Sequence, residues 1–254
     1  MPMLDPSIFK SMDSISLEEM GEVRLMNRVD TKYVAHISAI EKLLKLMAQD
    51  YFIQEINGEF NMPYSTCYYD TPDTDMFYQH QRGKKTRQKI RTRIYEGSDS
   101  PPFLEIKLKS NTGRTRKKRI EMLENDLIHN YEEFLSQHSK YETELLIPKI
   151  RNHFFRITLV NKDKTERITI DTCLEFHNFS TGKNLSLNDI AIIEWKRDGA
   201  SPKSKLLSYL RDLRIQQSGF SKYCIGLALT DPDSRQNRLK PKLRYIDKLA
   251  QTPK

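Results

Sequence analysis

Along residues 89–95 the chain alternates: Lys89, Arg91 and Arg93 fall on one side of an extended chain, and Ile90, Thr92 and Ile94 on the other. This period of two predicts a half-buried strand. Residues 103–109 repeat it, with Glu105, Lys107 and Lys109 opposite Leu104, Ile106 and Leu108. The run Gly97-Ser-Asp-Ser-Pro-Pro between them predicts a turn and hence a hairpin with one oily and one ionic face. The alternation recurs at residues 28–34, where Arg28, Asp30 and Lys32 share a side, and at 152–160, where Arg156 is on the polar side. It recurs again at 166–176, with Arg167, Thr169 and Asp171 opposite Ile168 and Ile170, and at 190–196, with Ile192, Glu194 and Lys196 against Ile193 and Trp195. Aromatic and β-branched content predicts a strand at 63–70. A weaker alternation at 114–122 puts Lys117 and Arg119 on one side, and 219–226 reads as a last strand.

Between these runs the spacing turns helical. Ser16 to Glu19 has the form of a capping box that opens a short helix to about residue 25. Ser38 to Glu41 has the same form, ahead of an apolar stripe of Ile40, Leu43, Leu44 and Met47 that suits a helix laid on the oily side of the sheet. Thr74 to Gln81 reads as a helical turn, 125–149 carries helical spacing, and Ser201-Pro202 predicts a helix through about 213. Beyond Asp231 the chain is polar and reads as a loosely held basic tail, with 242–249 a surface helix able to dock on a partner. The fold class read from these elements is α+β: strands with one oily and one ionic face, and helices laid on the oily one. These elements occupy residues 1–230 and are followed by a tail, 231–254.

Charge narrows the partner. The chain carries a formal +8 with a pI near 9.2, which points to an anion: a phosphate-rich small molecule, a nucleic acid or a lipid surface. About a third of the 42 Lys and Arg lie between Arg82 and Arg119. The three cysteines lack CxxC spacing, and none of the six histidines has metal-ligand spacing with another, so zinc chemistry is not indicated. No leader-like segment opens the sequence and the apolar runs are too short for a bilayer, so the expectation is a soluble, cytoplasmic protein without membrane insertion.

At least six predicted strands carry bases facing one way, several with a carboxylate on the same face: Asp30 with Lys32, Glu105 with Lys107, Asp171 with Arg167, Glu194 with Lys196. A closed barrel turns that face into a lumen, where the bases repel one another unless an anion fills it. Repeated phosphate is the natural occupant. Arginine forks and lysine point charges suit its oxygens, and a carboxylate could hold a divalent cation that bridges them. Phosphoryl transfer by position and charge needs no side-chain nucleophile. The plainer readings are a solvated edge strand for Arg91 and Arg93, and a salt bridge to Lys196 for Glu194.

The ordered set DTKYV, YYDTPD, KIRTR, LEIKLK, RKKRI, ERITIDT, IIEWK and FSKYCIG, running from about Arg28 to Gly226, resembles the VTC domain, the polyphosphate polymerase branch of the triphosphate tunnel metalloenzymes. The resemblance implies an antiparallel β tunnel barrel of about eight strands, with helices packed on its outside, that binds ATP and inorganic polyphosphate with Mn²⁺ or Mg²⁺ and lengthens polyphosphate with the γ-phosphoryl of ATP. Carried over by position, Lys32, Arg91, Arg93, Lys107, Lys117, Arg156, Arg167 and Lys222 match the family's phosphate-binding bases. Of these, Arg91, Arg93, Lys107, Arg156, Arg167 and Lys222 are assigned to catalysis. Glu194 matches the metal-binding glutamate; Arg119, Glu105, Asp171, Lys196 and Ser221 are secondary members. Two positions depart. Gly219 stands where the family's polymerases can carry a further lysine, and Arg28-Val-Asp30-Thr-Lys32 offers one acid where tunnel triphosphatases have paired glutamates. The second departure favours the polymerase branch. The membrane-spanning parts of eukaryotic relatives are not in the sequence, which implies a stand-alone catalytic domain with a possible separate membrane partner. The alternatives are a metal-dependent tripolyphosphatase or nucleoside triphosphatase and a non-catalytic polyphosphate-binding module. A nucleic-acid partner is not expected, because bases alternate with carboxylates on the same strand faces.

Overall fold

In the computed structural model, which describes residues 4–21, 23, 28–111, 115–199 and 204–251, the chain opens with α1 (Pro6–Lys10) and β1 (Ser14–Ile15). The Ser16 capping box then closes as its spacing predicts. Ser16 Oγ accepts the Glu19 amide at 3.2 Å and the Glu19 carboxylate accepts the Ser16 amide at 2.9 Å, starting α2 (Leu17–Met20). This helix stops at Gly21, and most of its predicted continuation lies outside the described residues. After β2 (Arg28–His36), α3 (Ser38–Met47) begins one residue early. The second capping box therefore does not form: Ile37 holds the cap position, and Ser38 Oγ bonds His36 Nδ1 at 2.8 Å instead.

The remaining elements are β3 (Tyr51–Gln54), β4 (Asn61–Asp70), α4 (Asp75–Gln81), β5 (Arg87–Tyr95), β6 (Phe103–Lys109), β7 (Thr115–Glu121), α5 (Glu132–His138), β8 (Ile147–Asn161), β9 (Glu166–Asn178), β10 (Asn184–Leu187), β11 (Ile190–Asp198), α6 (Leu206–Asp212), α7 (Lys222–Thr230) and α8 (Lys240–Ala250). Eight strands form one curled antiparallel sheet in the order β2-β11-β9-β8-β4-β5-β6-β7, a half-barrel with helices around it, which bears out the α+β tunnel expectation. The short strands β1, β3 and β10 flank it and have no counterpart in the hydropathy pattern. The last residues of the predicted helical stretch 125–149 instead open β8.

Period-two alternation sorts each strand between two faces. On the convex side Tyr33, Ile157, Ile168 and Trp195 pack against the α3 stripe of Ile40, Leu43, Leu44 and Met47, all fully buried. Burying such side chains contributes about 1.5–3 kcal/mol each. Further along, Ile90, Leu104 and Ile106 pack against Ile128 and Leu135. The bases are left to the concave side.

Two expectations for the C-terminal part are corrected. Residues 219–226 do not form a strand: Ser221 Oγ accepts the Cys224 amide and caps α7. This helix fills one end of the concave face, packing Tyr223, Cys224 and Ile225 on Val34, Phe154, Phe176 and Ile192. Gly226 permits the approach, since a Cβ there would stand 2.5 Å from the Phe176 ring. Residues 232–251 are not loosely held either. Leu239 and Ile246 are buried and Tyr245 Oη donates to Val34 O at 3.2 Å, so α8 docks on its own chain.

Candidate phosphate-binding tunnel

Antiparallel pairing of β5 with β6 sets Arg91 opposite Glu105, and pairing of β6 with β7 sets Lys107 opposite Lys117. Glu105, fully buried, receives Arg91 Nε at 2.8 Å and Nη2 at 2.5 Å on one oxygen and Lys117 Nζ at 2.9 Å on the other. Opposite them, β8 and β9 set Arg156 against Asp171, bonded through Nε at 2.6 Å and Nη2 at 2.8 Å, and Lys222 from α7 shares the second oxygen. The register of β2 with β11 places Lys32 beside Glu194, whose oxygens lie 3.5 Å from Lys32 Nζ and 2.8 Å from Lys196 Nζ. Each of these three carboxylates is thus shared by two bases. The two carboxylates take partners from neighbouring elements: Glu105 bonds Arg91 of β5 and Lys117 of β7, and Asp171 bonds Arg156 of β8 and Lys222 of α7.

Arg93 and Lys107 are left without a carboxylate bond among the described residues. Arg93, buried, finds only Thr66 Oγ1 at 3.3 Å and the Tyr64 ring face at 5.6 Å. Arg156 and Lys222 also lie over aromatic rings, Arg156 over Tyr64 at 4.9 Å and Lys222 over Phe154 at 3.4 Å. These rings supply an apolar wall with a negative face toward the cations. The register of β9 with β11 sets Arg167 opposite Lys196, and Ser221 Oγ accepts Lys89 Nζ at 3.1 Å while capping α7. Arg119 lies over the Phe103 ring at 4.6 Å on the exposed strand β7.

The electrostatics follow from this geometry. Burial would raise the Glu105, Asp171 and Glu194 carboxyls, yet their base partners hold all three well below the usual carboxylate range. Arg91, together with burial and Arg93, pushes the Lys107 ammonium down to about 5, and burial brings Lys89 to about 8. An anion in the lumen would reverse both shifts. Lys89 is a site residue the sequence reading did not select, although its alternation with Arg91 and Arg93 signalled it. Tyr64 and Phe154, also missed, carried no signal, since aromatic strand residues read first as core.

For a divalent cation, Glu194 is the donor that the resemblance of the sequence implies. Among the described residues no group of three or more His, Cys, Asp and Glu side chains could hold a metal by itself. The donor set fits an ion bound through one carboxylate and completed by phosphate oxygens and water, the habit of Mg²⁺ and similar hard cations. It does not fit an all-protein cage.

Fold and site together define a half-barrel with a polycationic concave face, closed at one end by a helix. The chain belongs to the VTC domain family, whose sequence profile matches residues 27–230. A comparison with curated proteins returns no match. Among solved structures, the chain is similar to a Vibrio parahaemolyticus protein named as a candidate adenylate cyclase (13% identity over 80% of this chain and 99% of that one, TM-score 0.47). It is also similar to one from Bacillus halodurans with the same naming (12%, 77% and 96%, 0.48) and to the Hippeastrum protein HpAC1, described as having a dominant triphosphatase activity (15%, 80% and 96%, 0.47). Among the described residues no helix is long and apolar enough to cross a membrane.

Proposed function

We propose that this protein is a polyphosphate polymerase that transfers the γ-phosphoryl of ATP to a growing inorganic polyphosphate chain held in the basic lumen. Membership of the VTC domain family supports a triphosphate tunnel enzyme. The observation that carries the finer reading is the state of the lumen carboxylates. Glu105, Asp171 and Glu194 are each held by two cations and lie well below their ordinary range, so none is poised to take a proton from water. The terminal phosphate of a polyphosphate chain is already an anionic nucleophile and needs no such base. A lumen built this way favours phosphate over water as acceptor.

In this reading Arg91 and Arg156, oriented by Glu105 and Asp171, fork onto phosphate oxygens. Arg93 and Lys107 supply the unmatched charge that balances the transferring group, and Arg167 joins them from β9. Lys222, at the closed end, and Lys32 and Lys117, at the edge strands, hold the flanking phosphates. Mn²⁺ or Mg²⁺, bound through Glu194, would neutralise charge on the phosphates. The protein's own contribution is position and fixed positive charge.

Incubation with ATP and Mn²⁺ should yield ADP and long polyphosphate. Orthophosphate as the only phosphorus product would move the assignment to a triphosphatase, and tight polyphosphate binding without turnover to a binding module.

A further inference from the structure

Residues 217–221 join the β2 edge to α7. The Ser218 amide donates to Lys32 O at 2.9 Å, Lys32 Nζ donates to Phe220 O at 3.2 Å, and Lys89 Nζ from β5 reaches Ser221 Oγ. Cations from two distant strands therefore converge on one short segment. In its middle, Gly219 offers no side chain. A Cβ at that position would stand 3.2 Å from Lys242 Nζ, so a lysine of α8 already occupies the space a residue at 219 would enter.

Lys242 is half-buried and has no hydrogen bond or ion pair to any described residue. It shares a neighbour with Lys89: burial and the charges of Lys89, Arg87, Lys242 and Lys109 together push the His80 imidazole down to about 3. The helix is held in place independently of that lysine. Leu239 and Ile246 are buried, Tyr245 bonds Val34 O, and Arg238 Nη1 donates to Gln81 O at 3.2 Å. Lys89 and Lys242 have no carboxylate partner among the described residues, and like charges gathered around one segment repel unless an anion lies between them. The lysine's flexible stem suits it to a mobile phosphate unit.

We propose that Lys242 is a phosphate-binding residue of the tunnel, delivered by α8 to the gap over Gly219, where it holds the part of a polyphosphate chain lying at the α7 end. The C-terminal segment outside the family match is then part of the substrate site. The proposal rests on the tunnel reading above and deepens it.

Calorimetric titration with tripolyphosphate and with long-chain polyphosphate, in EDTA so that turnover plays no part, tests it. Lys242→Ala should weaken binding about five- to tenfold, more for the long chain, while Lys242→Arg binds like the wild type. Gly219 has an ordinary backbone conformation, so Gly219→Lys combined with Lys242→Ala should restore affinity by placing the cation from the other side. Lys240→Ala, an exposed charge on the same helix, should leave binding unchanged. Full affinity in Lys242→Ala, equal losses in the two alanine variants, or no rescue by the lysine at 219 would each overturn the assignment. A wild type that binds neither polyanion would instead bring down the tunnel reading itself.

Discussion

Arg156 lies across Asp171 in a two-pronged ion pair, Nε to Oδ1 and Nη2 to Oδ2, and Lys222 completes it from the helix at the closed end. One carboxylate thereby ties β8, β9 and α7 together. Asp171→Asn keeps the shape and removes the charge, leaving two buried cations uncompensated. The expected loss of stability is about 3–5 kcal/mol in phosphate-free buffer. Saturating tripolyphosphate should recover much of it, and urea denaturation with and without the anion measures both.

Arg93 is the converse case, a buried cation that among the described residues bonds a hydroxyl and lies near a ring, with no ion pair of its own. Truncation to alanine relieves its repulsion with Arg91 and Arg156, which offsets the lost contacts, so stability should stay within about 1 kcal/mol of wild type. Catalysis should not be spared. Transition-state stabilisation should fall by about 2–4 kcal/mol, read as a drop in kcat/KM with unchanged urea midpoint.

Lys107 titrates near 5 in the folded protein because Arg91 stands beside it, whereas in the unfolded chain it stays protonated to about 10.4. Between those values the unfolded state binds the extra proton. The Lys107 contribution therefore destabilises the anion-free protein increasingly as pH falls from about 10 toward 5, and levels off below 5. A bound polyanion restores the proton. Tripolyphosphate binding at pH 8, measured in buffers of different ionisation enthalpy, should take up more protons for wild type than for Lys107→Met. Identical proton counts would contradict the placement of Lys107 against the anion.

Glu194→Gln removes the proposed metal donor and also frees Lys32 and Lys196 of their shared carboxylate. The two consequences have opposite signs. Metal-free tripolyphosphate affinity should rise, while stimulation of turnover by Mn²⁺ or Mg²⁺ should be lost. A metal titration of activity beside calorimetry in EDTA separates them.

The direction of the lumen bases was legible because strand alternation is local: Lys32, Arg91, Lys107, Arg156 and Glu194 all face the side that period two assigns them. Their partners were not legible. That Glu105 serves Arg91 and Lys117 depends on β5, β6 and β7 lying side by side, and that Lys222 reaches Asp171 depends on where α7 comes to rest. The segment Tyr223-Cys-Ile-Gly-Leu-Ala-Leu229 read as a strand because it is apolar on every side, a pattern a short buried helix shares with a strand. It is apolar all round because the concave end encloses it; Tyr223, Cys224, Ile225, Gly226, Leu227 and Ala228 are all buried. Ser221 was the one local sign of a helix start. The tail was misjudged on charge, although Leu239, Ile246 and Tyr245 carry the spacing of a docked helix.

The strand order has a consequence for how the protein is made. In the sheet order β2 has a single neighbour, β11, residues 28–36 against 190–198, so one wall of the tunnel waits for a partner that leaves the ribosome late. Contacts so far apart in sequence form slowly. A nascent chain ending before Ile190 already displays Arg91, Arg93 and Arg156 but lacks both the strand that receives β2 and the helix that plugs the end. During synthesis the growing polypeptide is thus a half-built polycation, and the end of its concave face is filled only when α7 follows.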